Sequence, residues 1–215
     1  MKLRNIAVTP GNRAFLAGQT GSGKTTLARE LLGLATFPVV VYDAKGLIQW
    51  PGYERTEKLA TLKTLSYPRC VYVPPVDIQD APEKQDEFFW ILYQRGNCTV
   101  YIDEVYSVCN GNVMPPYYKA ILTRGRERGI TCLSSTQRPK SIPQVLMSES
   151  EHFYIFRLQL DQDRERVNTL TGLASRRIQR LKKHQFYYLE PSEDSAIWPL
   201  MLGLTETVTA EKERQ

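Results

Sequence analysis

No apolar run in this chain of 215 residues approaches the roughly 20 needed to cross a bilayer as a helix, which excludes a membrane-spanning anchor. The first residues also lack a signal-peptide core, so a cytosolic protein is expected. None of the four cysteines, Cys70, Cys98, Cys109 and Cys132, stands in C-x-x-C spacing; three fall in or beside strand-like runs and read as reduced, buried thiols. Neither a Gly/Ser linker nor an internal repeat divides the sequence. One domain is therefore expected over residues 1–204, followed by a polar tail, 205–215, that frays or docks on a partner.

What the sequence does contain is alternation. Apolar runs at 13–17, 38–43, 70–73, 99–103, 130–135, 152–160 and 185–190 take turns with helical patterns at 24–34, 55–65, 83–95, 116–128, 142–148 and 174–183. That order predicts a three-layer α/β domain, a mostly parallel sheet with helices on both faces. The aromatic-rich runs at 152–160 and 185–190 are expected to add an antiparallel edge, with their rings in the core.

Three strand ends carry the chemistry. After the first run comes Gly18-Gln19-Thr20-Gly21-Ser22-Gly23-Lys24-Thr25, then Thr26, which fits G-x-x-x-x-G-K-[ST] between a strand and a helix. Such a loop turns its backbone N–H groups around phosphates, aided by the positive end of the following helix. Lys24 is expected to reach the outer phosphates and Thr25 to bind Mg²⁺.

The fourth run ends in Asp103 and Glu104 at the same expected edge of the sheet. Asp103 is a candidate for holding Mg²⁺ through water, and Glu104 for the general base. An acid directly after the metal aspartate favours attack by water over transfer to a small acceptor. The fifth run ends at Gln137, before Arg138-Pro139; it is placed either to sense the γ-phosphate or to stabilise a turn. Just before that strand stand Arg124, Arg126 and Arg128, more cations than a helix end needs, and arginine is the residue that supports phosphoryl transfer from a neighbouring subunit.

These motifs, with Val100-Tyr101-Ile102-Asp103-Glu104 and Gly125-Arg126-Glu127-Arg128-Gly129-Ile130 running into Ser135-Thr136-Gln137-Arg138-Pro139, resemble the FtsK–HerA superfamily of DNA-pumping ATPases. Within it the chain is most similar to genome-packaging ATPases of tailless, membrane-containing double-stranded DNA viruses. Val40-Val41-Tyr42-Asp43-Ala44-Lys45-Gly46 is similar to the superfamily's second strand, which ends Asp-Pro-x-Gly, with Ala44 in place of proline. The resemblance spans about residues 13–140.

It implies a RecA/ASCE-like P-loop fold, ATP and Mg²⁺ as cofactors, Arg126 as the intersubunit finger and Gln137 as the sensor, with Arg124 and Arg128 as other finger candidates. It further implies a homo-oligomeric ring that threads double-stranded DNA into a preformed shell. Viral portal or capsid vertex proteins are the expected partners, and the host cytoplasm or the packaging vertex of the virion the expected place. A HerA-like cellular translocase in repair or segregation and a nucleotide-switched assembly protein are the alternatives. ATP rather than GTP follows from the resemblance and from the lack of an Asn-Lys-x-Asp signature.

The net charge of +5 names no partner by itself. From Asp163 to Lys183, however, seven basic residues face two acids, Asp163 and Glu165, and Arg176, Arg177, Arg180, Lys182 and Lys183 are candidates for DNA phosphate, a portal, a subunit neighbour or solvent. Lys45 and Lys119 are further DNA candidates, on loops that follow the second strand and the catalytic acids.

Overall fold

The computed structural model describes residues 6–36, 38–64, 68–79, 82–109, 111–190, 199–201 and 209–210. Among these described residues ten strands form one sheet: β1 Arg13–Ala17, β2 Val39–Tyr42, β3 Glu54–Thr56, β4 Arg69–Tyr72, β5 Cys98–Ile102, β6 Ile130–Thr136, β7 His152–Phe156, β8 Gln185–Leu189, β9 Pro199–Met201 and β10 Thr209–Ala210. Their order is β10-β9-β8-β7-β1-β6-β5-β2-β4-β3. From β7 to β3 every neighbouring pair is parallel, while β8, β9 and β10 add on antiparallel, as expected for that edge.

Strands β1, β2, β5, β6 and β7 are buried at every residue, because helices cover both faces of the sheet. Alternate residues choose the face. Ala14, Leu16, Val39, Val41 and Leu133 pack with Leu27, Ala28, Leu31 and Leu32 of helix α1, Lys24–Gly33. Phe15, Val40, Tyr42, Val100 and Ile102 pack the other way, against Phe88, Phe89 and Leu92 of one helix and Tyr118 and Ile121 of another. The Phe89 and Tyr118 rings stack with centroids 4.5 Å apart. All four cysteines are buried, and burial pushes the Cys70 thiol up to about 11 and those of Cys98, Cys109 and Cys132 to about 12.

Several expected elements change in detail. The helix read over 55–65 is the edge strand β3 followed by α2, Leu59–Thr64; a strand of three largely exposed residues has no alternation to read. Helices α3, Val76–Gln79, and α4, Pro82–Arg95, then precede β5. The helix over 116–128 divides into α5, Pro116–Arg124, and a 3-10 turn, Gly125–Arg128, ended by Gly129 at φ +67°. Helix 142–148 shortens to α6, Val145–Ser148, and 174–183 to α8, Ser175–Arg180.

The strand over 152–160 stops at Phe156, and α7, Asp161–Thr171, follows without having been expected. Only Asp163, Arg164 and Val167 of its eleven residues are buried, so it has no apolar stripe to announce it. Asp161 and Asp163 in its first turn complement the helix dipole, and Gly172 at φ +73° ends it. In the expected tail, 205–215, Thr209–Ala210 pairs with β9; the rest of the tail lies outside the described residues.

Candidate nucleotide site

Because β1, β5 and β6 are parallel neighbours, their last residues reach the same edge of the sheet. The loop after β1 is pinned on both flanks, Gly18 N–H donating to the Thr136 carbonyl at 3.2 Å and Gln19 N–H to the Arg157 carbonyl at 3.0 Å. A side chain at Gly18 would place its Cβ 2.5 Å from the Cβ of Phe156, so the loop's close seat on β7 requires glycine. Gly23, at φ 107°, turns the chain into α1, whose first turn holds no acid to compete with a phosphate for the amide N–H groups.

The Lys24 ammonium is buried and donates to the carbonyls of Gly18 at 2.7 Å and Gln19 at 3.2 Å. Burial lowers its pKa to about 8, against the pull of Glu104 and Asp103, and Lys45 lowers it further. A charge this poorly solvated gains from an incoming anion.

Thr25 Oγ1 donates to Asp103 Oδ1 at 2.9 Å. The same carboxylate oxygen accepts from the Tyr101 hydroxyl at 2.7 Å, and Ser135 Oγ donates to the Asp103 carbonyl. Two hard oxygen ligands side by side, one charged, fit a magnesium ion that keeps most of its waters. Tyr101 and Ser135 stand inside the quoted motifs, but neither has a role of its own in the sequence reading. The two-residue spacing that sets Tyr101 on the same face as Asp103 was the signal for the first.

Glu104 caps the 3-10 turn Val105–Ser107, with a Tyr106 N–H at 3.5 Å that is too long to bind its carboxylate firmly. Its side chain lines a cleft of about 420 Å³ with Thr20, Lys24, Thr25, Asp103 and Gln137. Gln137 Oε1 accepts from the Thr20 hydroxyl at 2.6 Å, which links the third strand end to the phosphate loop. Behind it, Arg138 Nε donates to Asp163 Oδ2 at 3.2 Å and Lys140 N–H to Asp163 Oδ1 at 2.9 Å. The helix missed in the sequence thus fixes the turn that presents Gln137.

Lys45 also lines this cleft, so the structure places it beside the phosphate loop. Gly21, Ser22, Gly23 and Thr26 border a separate cleft on the other flank of the loop. The three arginines are not brought to this edge. Arg126 donates to Asn12 Oδ1 at 3.1 Å and pairs with Glu151, residues that precede β1 and β7, so it sits at the opposite edge. Arg128 donates to the carbonyls of Tyr93 and Gln94 and lies over the Tyr93 ring, 4.7 Å from its centroid. Arg124 is exposed at the end of α5.

Arg176, Arg177, Arg180, Lys182 and Lys183 are exposed on and after α8, and Lys119 on α5. Arg164, by contrast, is buried against the carbonyls of Leu158 and Gln159 and paired with Asp161. It leaves the basic surface. Among the described residues no helix is long and apolar enough to cross a membrane.

The chain is 29% identical over 189 residues to the DNA packaging ATPase P9 of Enterobacteria phage PRD1, covering 82% of this chain and 81% of the relative. The genome packaging NTPase B204 of Sulfolobus turreted icosahedral virus 2, in complex with AMPPCP, superposes with a TM-score of 0.71 at 16% identity over 95% of this chain and 99% of that one. VirB4 of Thermoanaerobacter pseudethanolicus gives 0.63 at 9% identity over 86% and 88% of the two chains. The resemblance read from the motifs, to P-loop ATPases of the FtsK–HerA packaging kind, is borne out. A family model for the ATPase family associated with various cellular activities (AAA) matches residues 14–158, the stretch that builds β1 through β7 and every strand end described above. The chain belongs to that family, and it is an ATP hydrolase.

Proposed function

We propose that the chain is the ATP-driven motor of a virus, moving double-stranded DNA into a preformed shell. The observation that carries this reading is the full hydrolytic set, Lys24, Thr25, Asp103, Glu104 and Gln137, in one cleft of a chain related over 82% of its length to a DNA packaging ATPase. The loop amides and Lys24 hold the triphosphate. Thr25 and Asp103 would hold Mg²⁺, which supplies charge neutralisation on the phosphates when bound. Glu104, held among the described residues only by the long Tyr106 N–H contact, takes a proton from the attacking water. Gln137 orients that water and reports the γ-phosphate to the loop through Thr20.

The chain works as a ring. Arg126 stands at the edge of the sheet opposite its own phosphate loop, so a finger role requires a neighbour's site. DNA is gripped by its phosphates with little regard to sequence, and exposed Arg176, Arg177, Arg180, Lys182, Lys183 and Lys119 are the candidate contacts. Assembly takes place in the host cytoplasm, and a portal or capsid vertex protein receives the ring.

The test is the steady-state ATPase rate with and without long double-stranded DNA, at low and moderate salt, with Glu104→Gln as the blank. The expected result is strong stimulation that fades as salt rises. A rate indifferent to DNA at every salt concentration argues for a nucleotide-switched assembly protein instead.

A further inference from the structure

We propose that His184 receives the nucleoside end of the bound nucleotide, an inference that rests on the nucleotide site described above. The cleft on the far flank of the phosphate loop, about 280 Å³, is lined by Gly21, Ser22, Gly23, Lys24, Thr25 and Thr26, and by one residue from elsewhere, His184. That residue lies 158 positions further along the chain than Thr26, so only the fold puts it there.

Two features of His184 are unusual together. Its backbone sits at φ +65°, a region that residues with side chains seldom occupy. Its Nδ1 is shut off from solvent and has no hydrogen-bond partner among the described residues. The turn that holds it is well built. Lys182 N–H donates to Gln185 Oε1 at 2.8 Å and Gln185 N–H to the Lys182 carbonyl at 3.1 Å, while Leu181 and Phe186 anchor both ends in the core. Strain held by a rigid turn that sets a ring on the wall of this cleft is what a ligand-facing residue looks like.

Sheet order decides which part of the ligand meets it. Strand β1 carries the loop; Asp103, Glu104 and Gln137 come from β5 and β6 on one side of it, and His184 enters β8 on the other side, beyond β7. A triphosphate whose terminal group points at Asp103 and Glu104 therefore directs its ribose and base towards His184. The imidazole, on the wall of the cleft, offers a flat face on which a base stacks.

The experiment measures binding of ATP and of inorganic tripolyphosphate, which lacks the nucleoside, to the full chain and to His184→Asn, since asparagine tolerates a positive φ. Affinity for ATP is expected to fall about tenfold, the loss of the stacking contact, with tripolyphosphate unchanged. His184→Gly, which removes the ring and relieves the backbone, is expected to show the same split and guards against poor folding of the first variant. Unchanged ATP affinity in both variants overturns the proposal. Equal losses for both ligands also overturn it, by assigning the ring to the phosphates or to loop support. Failure of tripolyphosphate to bind the unaltered chain strikes instead at the phosphate-loop reading beneath it.

Discussion

The two edges of the sheet are opposites. At the edge where β1, β5 and β6 end, polar groups from three strands converge on one cleft and hold one another with short bonds: Thr25 to Asp103, Tyr101 to Asp103, Thr20 to Gln137. At the edge where β1 and β7 begin, the exposed Arg126 is tied to Asn12 and Glu151. The first edge has everything a phosphate needs except a cation from outside; the second has the cation and no phosphate. In the proposed ring, head-to-tail contact between copies would satisfy both, since such a contact closes into a ring when its rotation allows.

The comparison breaks most sharply at Glu104. Glu104→Gln is expected to keep ATP binding and lose turnover by about 10²–10⁴-fold, while Lys24→Ala loses binding itself. Parallel titration and single-turnover assays separate the two, and normal turnover by Glu104→Gln would falsify the base assignment.

The arginines come next. Arg126→Ala is expected to bind ATP normally but turn over roughly 10³-fold more slowly, with partial recovery when mixed with Glu104→Gln chains. Arg128→Ala should leave turnover nearly intact and cost stability, about 1–3 kcal/mol from its hydrogen bonds and ring contact, because the structure commits it to the end of α4. If it is Arg128→Ala that silences turnover in a stable ring, the roles are exchanged.

The smallest effect concerns pH. With the free Lys24 amine at about 8, the ammonium is lost as pH rises past that value, whereas a bound triphosphate keeps it charged. ATP affinity should then hold steady below pH 8 and weaken by up to about tenfold per unit above it, with proton uptake on binding. Calorimetry in buffers of different ionisation enthalpy at pH 7.5 and 8.5 measures that uptake directly; equal uptake at both values rejects a lowered Lys24.

What was legible in the sequence follows from the range of the forces involved. The phosphate loop and the Asp103–Glu104 pair are local, each fixed by a strand end and a few neighbours, and the structure brings them together as expected. The parallel order was legible as alternating buried runs. Helix α7 was not, because its stability comes from capping charges, a buried Asp163 and contacts across the chain rather than an apolar stripe. Ser135 and His184 were hidden for a related reason. Nothing about a serine in a strand or a histidine after two lysines reveals which loop it will meet. Arg164 misled in the opposite direction: counted among surface cations, it is consumed internally by carbonyls and Asp161.

The cysteines have a consequence for covalent chemistry. With thiols pushed to about 11 and 12 and shut away from solvent, the thiolate fraction at neutral pH is on the order of 10⁻⁴ or less, so the chain is close to inert toward maleimides, oxidants and foreign disulfides. One cysteine placed on the exposed end of α5, in place of Arg124, would react alone, and the unaltered background becomes a blank sheet on which subunit neighbours write their own cross-links.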